Sequence, residues 1–212
     1  VNIINIPIST KCEELMMSRG RPREFDRTEA LNKAMLLFWR KGYTATSMSD
    51  LYEAMGIKSP SLYAAFGSKE NLYDEVLQHY EQCVAPLIWG DMEQEPSPKR
   101  AVASWLERSA EMLTRCDLPH GCMVTLSAVA SEGNDRLGQR VQAMRNGGMA
   151  LLKARLAQAQ AQGELPADTD IDALTRLYTS IQQGMSIQAR DGASRETLLG
   201  IARMAMGLWP TE

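Results

Sequence analysis

Three residues, Gly56-Ile57-Lys58, separate two short helical patterns in the N-terminal part of this 212-residue chain. A link that short makes the second helix cross the first steeply instead of folding back along it. Ahead of the link, Met48, Leu51, Tyr52 and Met55 recur at i, i+3, i+4 and i+7, and the run Thr46-Ser47-Met48-Ser49-Asp50 offers a capping hydroxyl three residues before an acid. Beyond the link, Ser59-Pro60-Ser61-Leu62-Tyr63-Ala64-Ala65-Phe66-Gly67-Ser68-Lys69-Glu70 reads as a helix, a tight turn, and a further helix opening on a Lys. Ser59 is expected as the N-cap. Pro60 then takes the first helical position, where its fixed φ helps and its missing N–H is not needed. Leu62 and Phe66, four apart, face inward. Ser61, Ala64 and Ala65 are left as a small-residue outer surface, with Tyr63 on its flank.

Before this pair, Ala30, Leu31, Ala34, Leu37 and Phe38 mark one buried stripe of a helix running from Asp26 to Lys41 and stopped by Gly42. Three helices of this kind within some forty residues form a helix-turn-helix unit, with the third helix as the reading element. The compact basic arm Arg19-Gly20-Arg21-Pro22-Arg23 precedes it; Gly and Pro keep the arm extended, and Arg19, Arg21 and Arg23 suit the negative potential of a narrow minor groove. Charge is partitioned in the same sense. Residues 19–69 carry nine Lys and Arg against five Asp and Glu, whereas residues 70–212 carry thirteen against nineteen, so the net −3 of the chain hides a basic segment. Phosphate binding needs only such a local cationic face.

The segments Gly42-Tyr43-Thr44-Ala45-Thr46-Ser47-Met48-Ser49-Asp50-Leu51, Met55-Gly56-Ile57-Lys58 and Leu62-Tyr63-Ala64-Ala65-Phe66-Gly67-Ser68-Lys69-Glu70-Asn71-Leu72 resemble the DNA-binding domain of the TetR family of bacterial transcriptional regulators. The resemblance implies that the hydroxyls of Thr46 and Ser47 and the Lys69 side chain hold phosphates, with Tyr63 on a phosphate or a base edge. Helix N-termini favour anions there on physical grounds as well. Lys58, Ser59, Ser61 and Ala64 are then the base-facing set. The chain departs from the family pattern at Ala65, where His or Tyr is common, and at Pro60, where Gly is frequent. Contact by Ala65 is not expected, and Ala64 is suited to thymine methyl groups.

The remainder reads as a helical body. A fourth helix with Leu72, Val76 and Tyr80 on one stripe runs to about Cys83, and Trp89 to Pro98 is a loop. Ala101 to Arg115 is helical, and Gly121 to Ala130 is a short apolar helix. Leu137, Val141, Met144, Gly148, Leu151 and Leu152 mark a long helix ended by Gly163 and Pro166. Thr169 with Asp172 caps the next one, along which Leu174, Leu177, Tyr178, Ile181 and Met185 share a face; the last runs from Ser194 to about Leu208. Nine helices and no strand pattern predict an all-α protein. Residues 1–18 are expected to be a disordered extension or to precede the native start at Met16 or Met17, residues 19–68 to be the arm and helix-turn-helix domain, and residues 69–212 to bind effector and dimerise. The resemblance implies a homodimer built on Leu174 to Ala189 and Leu198 to Trp209, and DNA geometry favours one, since two heads about 34 Å apart match a palindromic operator.

Trp105, Met112, Met123, Met144, Tyr178 and Met185 lie in the predicted body helices and would line an adaptable pocket for a small hydrophobic effector, though core packing explains the same residues. Cys116, His120 and Cys122 cluster around Asp117-Leu118-Pro119. Cys122 at a helix start suits a thiol sensor of oxidants or electrophiles with Cys116 as its neighbour, against an inert buried thiol; the three lack the second ligand pair of a zinc site, and no metal or other cofactor is expected. Neither His79 nor His120 joins a nucleophile and an acid, and no Walker or dinucleotide loop occurs, so no enzyme activity is expected. The competing class is a helical binding protein with a vestigial helix-turn-helix. Unpaired cysteine spacing and the lack of any membrane-length apolar run suit a reducing cytoplasm.

Overall fold

The computed structural model describes residues 25–211, so Arg19, Arg21 and Arg23 lie outside the described residues. Among the described residues there are nine α-helices and no strand, divided into two compact units after Pro86.

The first unit holds α1 (Arg27–Lys41), α2 (Met48–Met55), α3 (Ser59–Phe66) and α4 (Lys69–Cys83). Asp26 starts α1 by accepting the Thr28 and Glu29 amides at 2.8 and 3.0 Å. Ser47 and Asp50 form a reciprocal capping box on α2: Asp50 N–H donates to Ser47 Oγ at 3.0 Å and Ser47 N–H to Asp50 Oδ2 at 2.8 Å. Gly56, in the left-handed region at φ 68°, ends α2 and turns the chain toward α3 with no Cβ to strain. The N-cap of α3 is Lys58, not Ser59 as expected; Ser59 is the first helical residue and its hydroxyl is engaged elsewhere, at Tyr52. Ser68 caps α4 through the Asn71 amide at 3.0 Å.

α4 belongs to this unit. The domain boundary expected after Ser68 therefore moves to Pro86, because α4 buries Leu72, Tyr73, Val76, Leu77 and Tyr80 and packs on α1. Tyr73 meets Phe38 edge-on at 4.9 Å between centroids, and Tyr80 meets Trp39 at 5.2 Å. Each such aromatic pair is worth about 1 kcal/mol beyond its area. Between the same helices, His79 Nε2–H donates to Asn32 Oδ1 at 2.6 Å, which leaves Nδ1 as an acceptor facing Cys83 Sγ at 3.7 Å. Burial pushes the His79 pKa below its ordinary value.

The second unit begins at Leu87 and contains α6 (Pro98–Leu113), α7 (Asp135–Ala161), α8 (Ile171–Arg190) and α9 (Arg195–Met206); a short α5 (Ala85–Trp89) spans the division. α6 packs on α9, α8 and α7. It starts three residues earlier than expected, because Ser97 caps it and the Glu164 carboxylate accepts the Lys99 amide at 2.9 Å. Asp170, not Thr169, caps α8 through the Ala173 amide. Leu174, Tyr178 and Met185 on α8 are buried, but Leu177 is exposed.

The helix expected at Gly121 to Ala130 does not form; the segment is a series of turns. Its polar groups find partners outside a helical ladder. Gly121 N–H donates to Leu113 O, Cys122 N–H to Ser186 Oγ at 2.8 Å, and the Arg145 guanidinium donates to Val124 O at 3.2 Å. Gly121 sits at φ 81°, and a Cβ there would lie 2.8 Å from the Ser186 carbonyl. The count of nine thus equals the expected count because α5 replaces this missing helix.

Candidate nucleic-acid interface

The site grows from the exposed side of α3. Leu62 and Phe66 are buried, and Lys58, Pro60, Tyr63, Ala64 and Gly67 are exposed, so the i, i+3, i+4 pattern that builds the core also aims the other residues outward. Tyr63 is 49% exposed on this side of α3. The nearby Tyr52 hydroxyl, by hydrogen bonding first and by the mutual repulsion of two phenolates second, pushes the Tyr63 pKa above the ordinary tyrosine value. Tyr63 is therefore a neutral donor over any physiological pH.

Ser59 and Ser61 are half-buried, and Ser59 Oγ donates to the Tyr52 hydroxyl at 3.0 Å. Lys58 is exposed at the start of α3 and pairs with no carboxylate among the described residues. Ala64 is exposed and Ala65 half-buried.

The phosphate-binding expectations divide. Lys69 opens α4 with Nζ 4.4 Å from the Tyr43 ring centroid, so the ring holds the ammonium near a helix N-terminus, where both charge and free amides favour an anion. Ser47 is exposed; its oxygen accepts the Asp50 amide while its own proton remains a donor. Thr46 is a correction: it is fully buried and its hydroxyl donates to Gly42 O at 2.6 Å, which removes it from the set that reaches a phosphate. Arg27, absent from the sequence reading, stacks over Phe66 at 4.7 Å and pairs with Glu75, tying the end of α3 to α1 and α4. Nothing local in the sequence marks it, since Glu75 is 48 residues away.

In the second unit, Trp105, Met112, Met123, Tyr178 and Met185 are buried, and Met144 is half-buried. Trp105 lies 5.0 Å from Trp89, and its buried Nε1–H has no partner. Tyr178 donates to Ala205 O at 3.3 Å, and burial pushes its pKa up to about 12. Met112 and the exposed Cys116 line a cavity of about 520 Å³ together with Arg108, Arg115 and Arg195. Cys122 is half-buried and opens no helix, which corrects the helix-terminus argument for its reactivity; its Sγ accepts the Thr125 amide at 3.5 Å. Among the described residues no three His, Cys, Asp or Glu side chains gather as a metal site, and no helix is long and apolar enough to cross a membrane.

A capped α2, a glycine turn, and an α3 that offers Tyr63, Lys58 and small residues outward, followed by a helix N-terminus carrying Lys69, define a helix-turn-helix DNA-binding protein. Residues 30–76 match the family described as bacterial regulatory proteins, tetR family, and residues 98–200 match the tetracyclin repressor-like C-terminal domain. The chain belongs to the TetR family of transcriptional regulators, and such regulators are not enzymes. It is 40% identical over 204 residues to the HTH-type transcriptional repressor ComR of Escherichia coli (strain K12), covering 95% of this chain and 96% of ComR. It is 30% identical to the repressor BdcR of the same organism, over 88% of this chain and 90% of BdcR. Among solved structures, a cysteine mutant of the TetR family regulator CifR, complexed with 26bp double-strand operator DNA, is similar at 38% identity. The TM-score is 0.84, with 90% of this chain and 100% of that chain covered.

Proposed function

We propose that this protein is a repressor that binds a palindromic operator as a homodimer in the cytoplasm and is released when a small hydrophobic or electrophilic molecule binds its second unit. The observation that carries the reading is the 49% exposed Tyr63 on the small-residue face of α3, next in sequence to the Lys69 helix terminus. Tyr63, Lys69 and Ser47 supply phosphate contacts; Lys58, Ser59, Ser61 and Ala64 face base edges; Arg19, Arg21 and Arg23 reach a minor groove. ComR and BdcR being named repressors supports the sign of the regulation, and the operator complex of CifR supports its target.

Dimerisation is supported by the exposed apolar residues Leu177 and Ile187 of α8 and Met204 and Leu208 at α9, with Met204 76% exposed. Effector binding is supported by the buried Trp105 indole whose N–H lacks an acceptor, a vacancy that a carbonyl-bearing ligand would fill. A thiol-sensing variant of the same reading keeps one support: the Thr125 amide donates to Cys122 Sγ at 3.5 Å.

A gel shift with promoter fragments tests the reading. Binding should fall steeply with salt and prefer one fragment, and Tyr63→Ala should weaken it about tenfold or more with the melting temperature held, in line with one lost charge-assisted contact per protomer. Binding that is indifferent to salt and fragment would restore the vestigial alternative.

A further inference from the structure

Cys83 is the last residue of α4, and His79, one helical turn before it, lies on the same face. Cys83 Sγ is 3.7 Å from His79 Nδ1, while His79 Nε2–H donates to Asn32 Oδ1 of α1 at 2.6 Å. A thiol, an imidazole and an amide oxygen thus stand in line. The amide oxygen can only accept, so the ring proton is fixed on Nε2 and Nδ1 presents its lone pair to the sulfur. His79 is 9% exposed, and burial keeps the ring neutral and able to take up a proton. Cys83 is half-buried and in no disulfide, which leaves its sulfur within reach of a small reagent.

We propose that Cys83, His79 and Asn32 form a thiol site in the first unit that is oxidised by small hydroperoxides, with His79 as general base and Asn32 as the residue that positions it. The site does not depend on which helix meets DNA. At rest the sulfur is protonated, because the carbonyl end of α4 opposes a thiolate at its last residue. The proton must therefore leave as the sulfur reacts. A sulfur lone pair attacks the terminal peroxide oxygen, the S–H proton passes to Nδ1, and the O–O bond breaks. The imidazolium then gives that proton to the departing oxygen. The products are a Cys83 sulfenic acid and an alcohol, or water when hydrogen peroxide is the oxidant; the sulfur is oxidised, the peroxide takes up its electron pair, and His79 ends neutral. A hydroperoxide suits this order of groups because its leaving oxygen needs the proton that the thiol gives up. Cys122 is placed differently: its Sγ accepts the Thr125 amide, a group that cannot take a proton.

The test treats the full-length protein with hydrogen peroxide in the presence of dimedone, which captures sulfenic acids, and follows each cysteine peptide by mass spectrometry over time. Cys83 should be trapped about tenfold or more faster in the wild type than in His79→Gln. Asn32→Ala should slow trapping as well, and Asn32→Asp, which keeps an acceptor for Nε2–H, should restore it. Damage to the packing of α1 on α4 acts in the opposite sense, since a loosened helix exposes the sulfur and speeds its trapping. Melting temperatures of the unreacted proteins report that damage separately, and trapping at Cys122 in the same samples should not change between variants. Equal Cys83 rates in the wild type and His79→Gln, or no adduct at Cys83, would overturn the proposal. An Asn32→Ala rate equal to that of the wild type would overturn the positioning role of Asn32.

Discussion

Lys69 Nζ lies 4.4 Å above the ring of Tyr43, a residue of the loop between α1 and α2, and Tyr43 in turn packs edge-on against Tyr73 of α4 at 5.1 Å. The ammonium is therefore held at the N-terminus of α4 by a half-buried ring that itself rests on Phe38 and Tyr73 of the first unit. A Lys on a flexible stem gives up much rotational freedom on binding a phosphate, and the ring reduces what remains to be lost.

Replacing Lys69 by Gln should weaken operator binding about tenfold and reduce the slope of log affinity against log salt by about 2 for a dimer, one phosphate per protomer. Fluorescence anisotropy titrations across a salt series measure both numbers. A lower affinity with an unchanged slope would mean that Lys69 acts on packing and not on DNA.

Asp50 accepts from Lys41 at 2.7 Å and from the Ser47 amide, and these bonds, Lys41 first, hold its pKa down to about 2 from an ordinary 3.8. A depressed carboxyl stabilises the fold above its unfolded value and loses that contribution as pH falls through its folded one. Asp50→Asn should accordingly lower the melting temperature at pH 7. The gap from wild type should close between about pH 4 and pH 2, as melting curves at stepped pH would show.

His79 carries the opposite charge type with the same pH direction. Burial lowers its pKa, so the folded state resists protonation while the unfolded chain accepts it near pH 6.5. The fold is unaffected above that value and loses stability as pH drops below it, until the folded group itself protonates. His79→Gln keeps an amide donor for Asn32 and should flatten the loss of stability between pH 6.5 and 5. Denaturant unfolding of both proteins over that range measures it.

Met204→Glu places a charge on the exposed apolar face of α9, in the second unit. It should shift the light-scattering mass at micromolar concentration toward a monomer and weaken operator binding by about tenfold or more, since both heads must engage together. An unchanged dimer would place the interface elsewhere.

The first unit was legible because its signals are local. The Ser47–Asp50 capping box spans three residues, Gly56 stands at the positive φ its position predicts, and Leu62 and Phe66 are buried on the i, i+4 spacing. Ser59 misled because a hydroxyl ahead of Pro reads as a cap, while its real partner, Tyr52, lies seven residues back across the turn. Thr46 misled for a similar reason: a threonine beside a cap looks exposed until Gly42 O claims it. Between residues 121 and 130 an apolar run satisfied the helical pattern, yet Ser186, 64 residues from Cys122, and Arg145, 21 from Val124, take up the groups a helix would have paired.

The placement of α1 to α4 and the one-sided apolar stripe of α3 follow from the sequence by itself, because caps, glycine turns and such stripes act through bonds and contacts within about four residues. Two things were decided only by tertiary structure: that α4 belongs with the reading head, and that Thr46 is withdrawn from the surface. Each depends on which buried polar group or aromatic face a distant segment brings near, and a hydrogen-bonding group removed from water takes whatever partner the packing supplies.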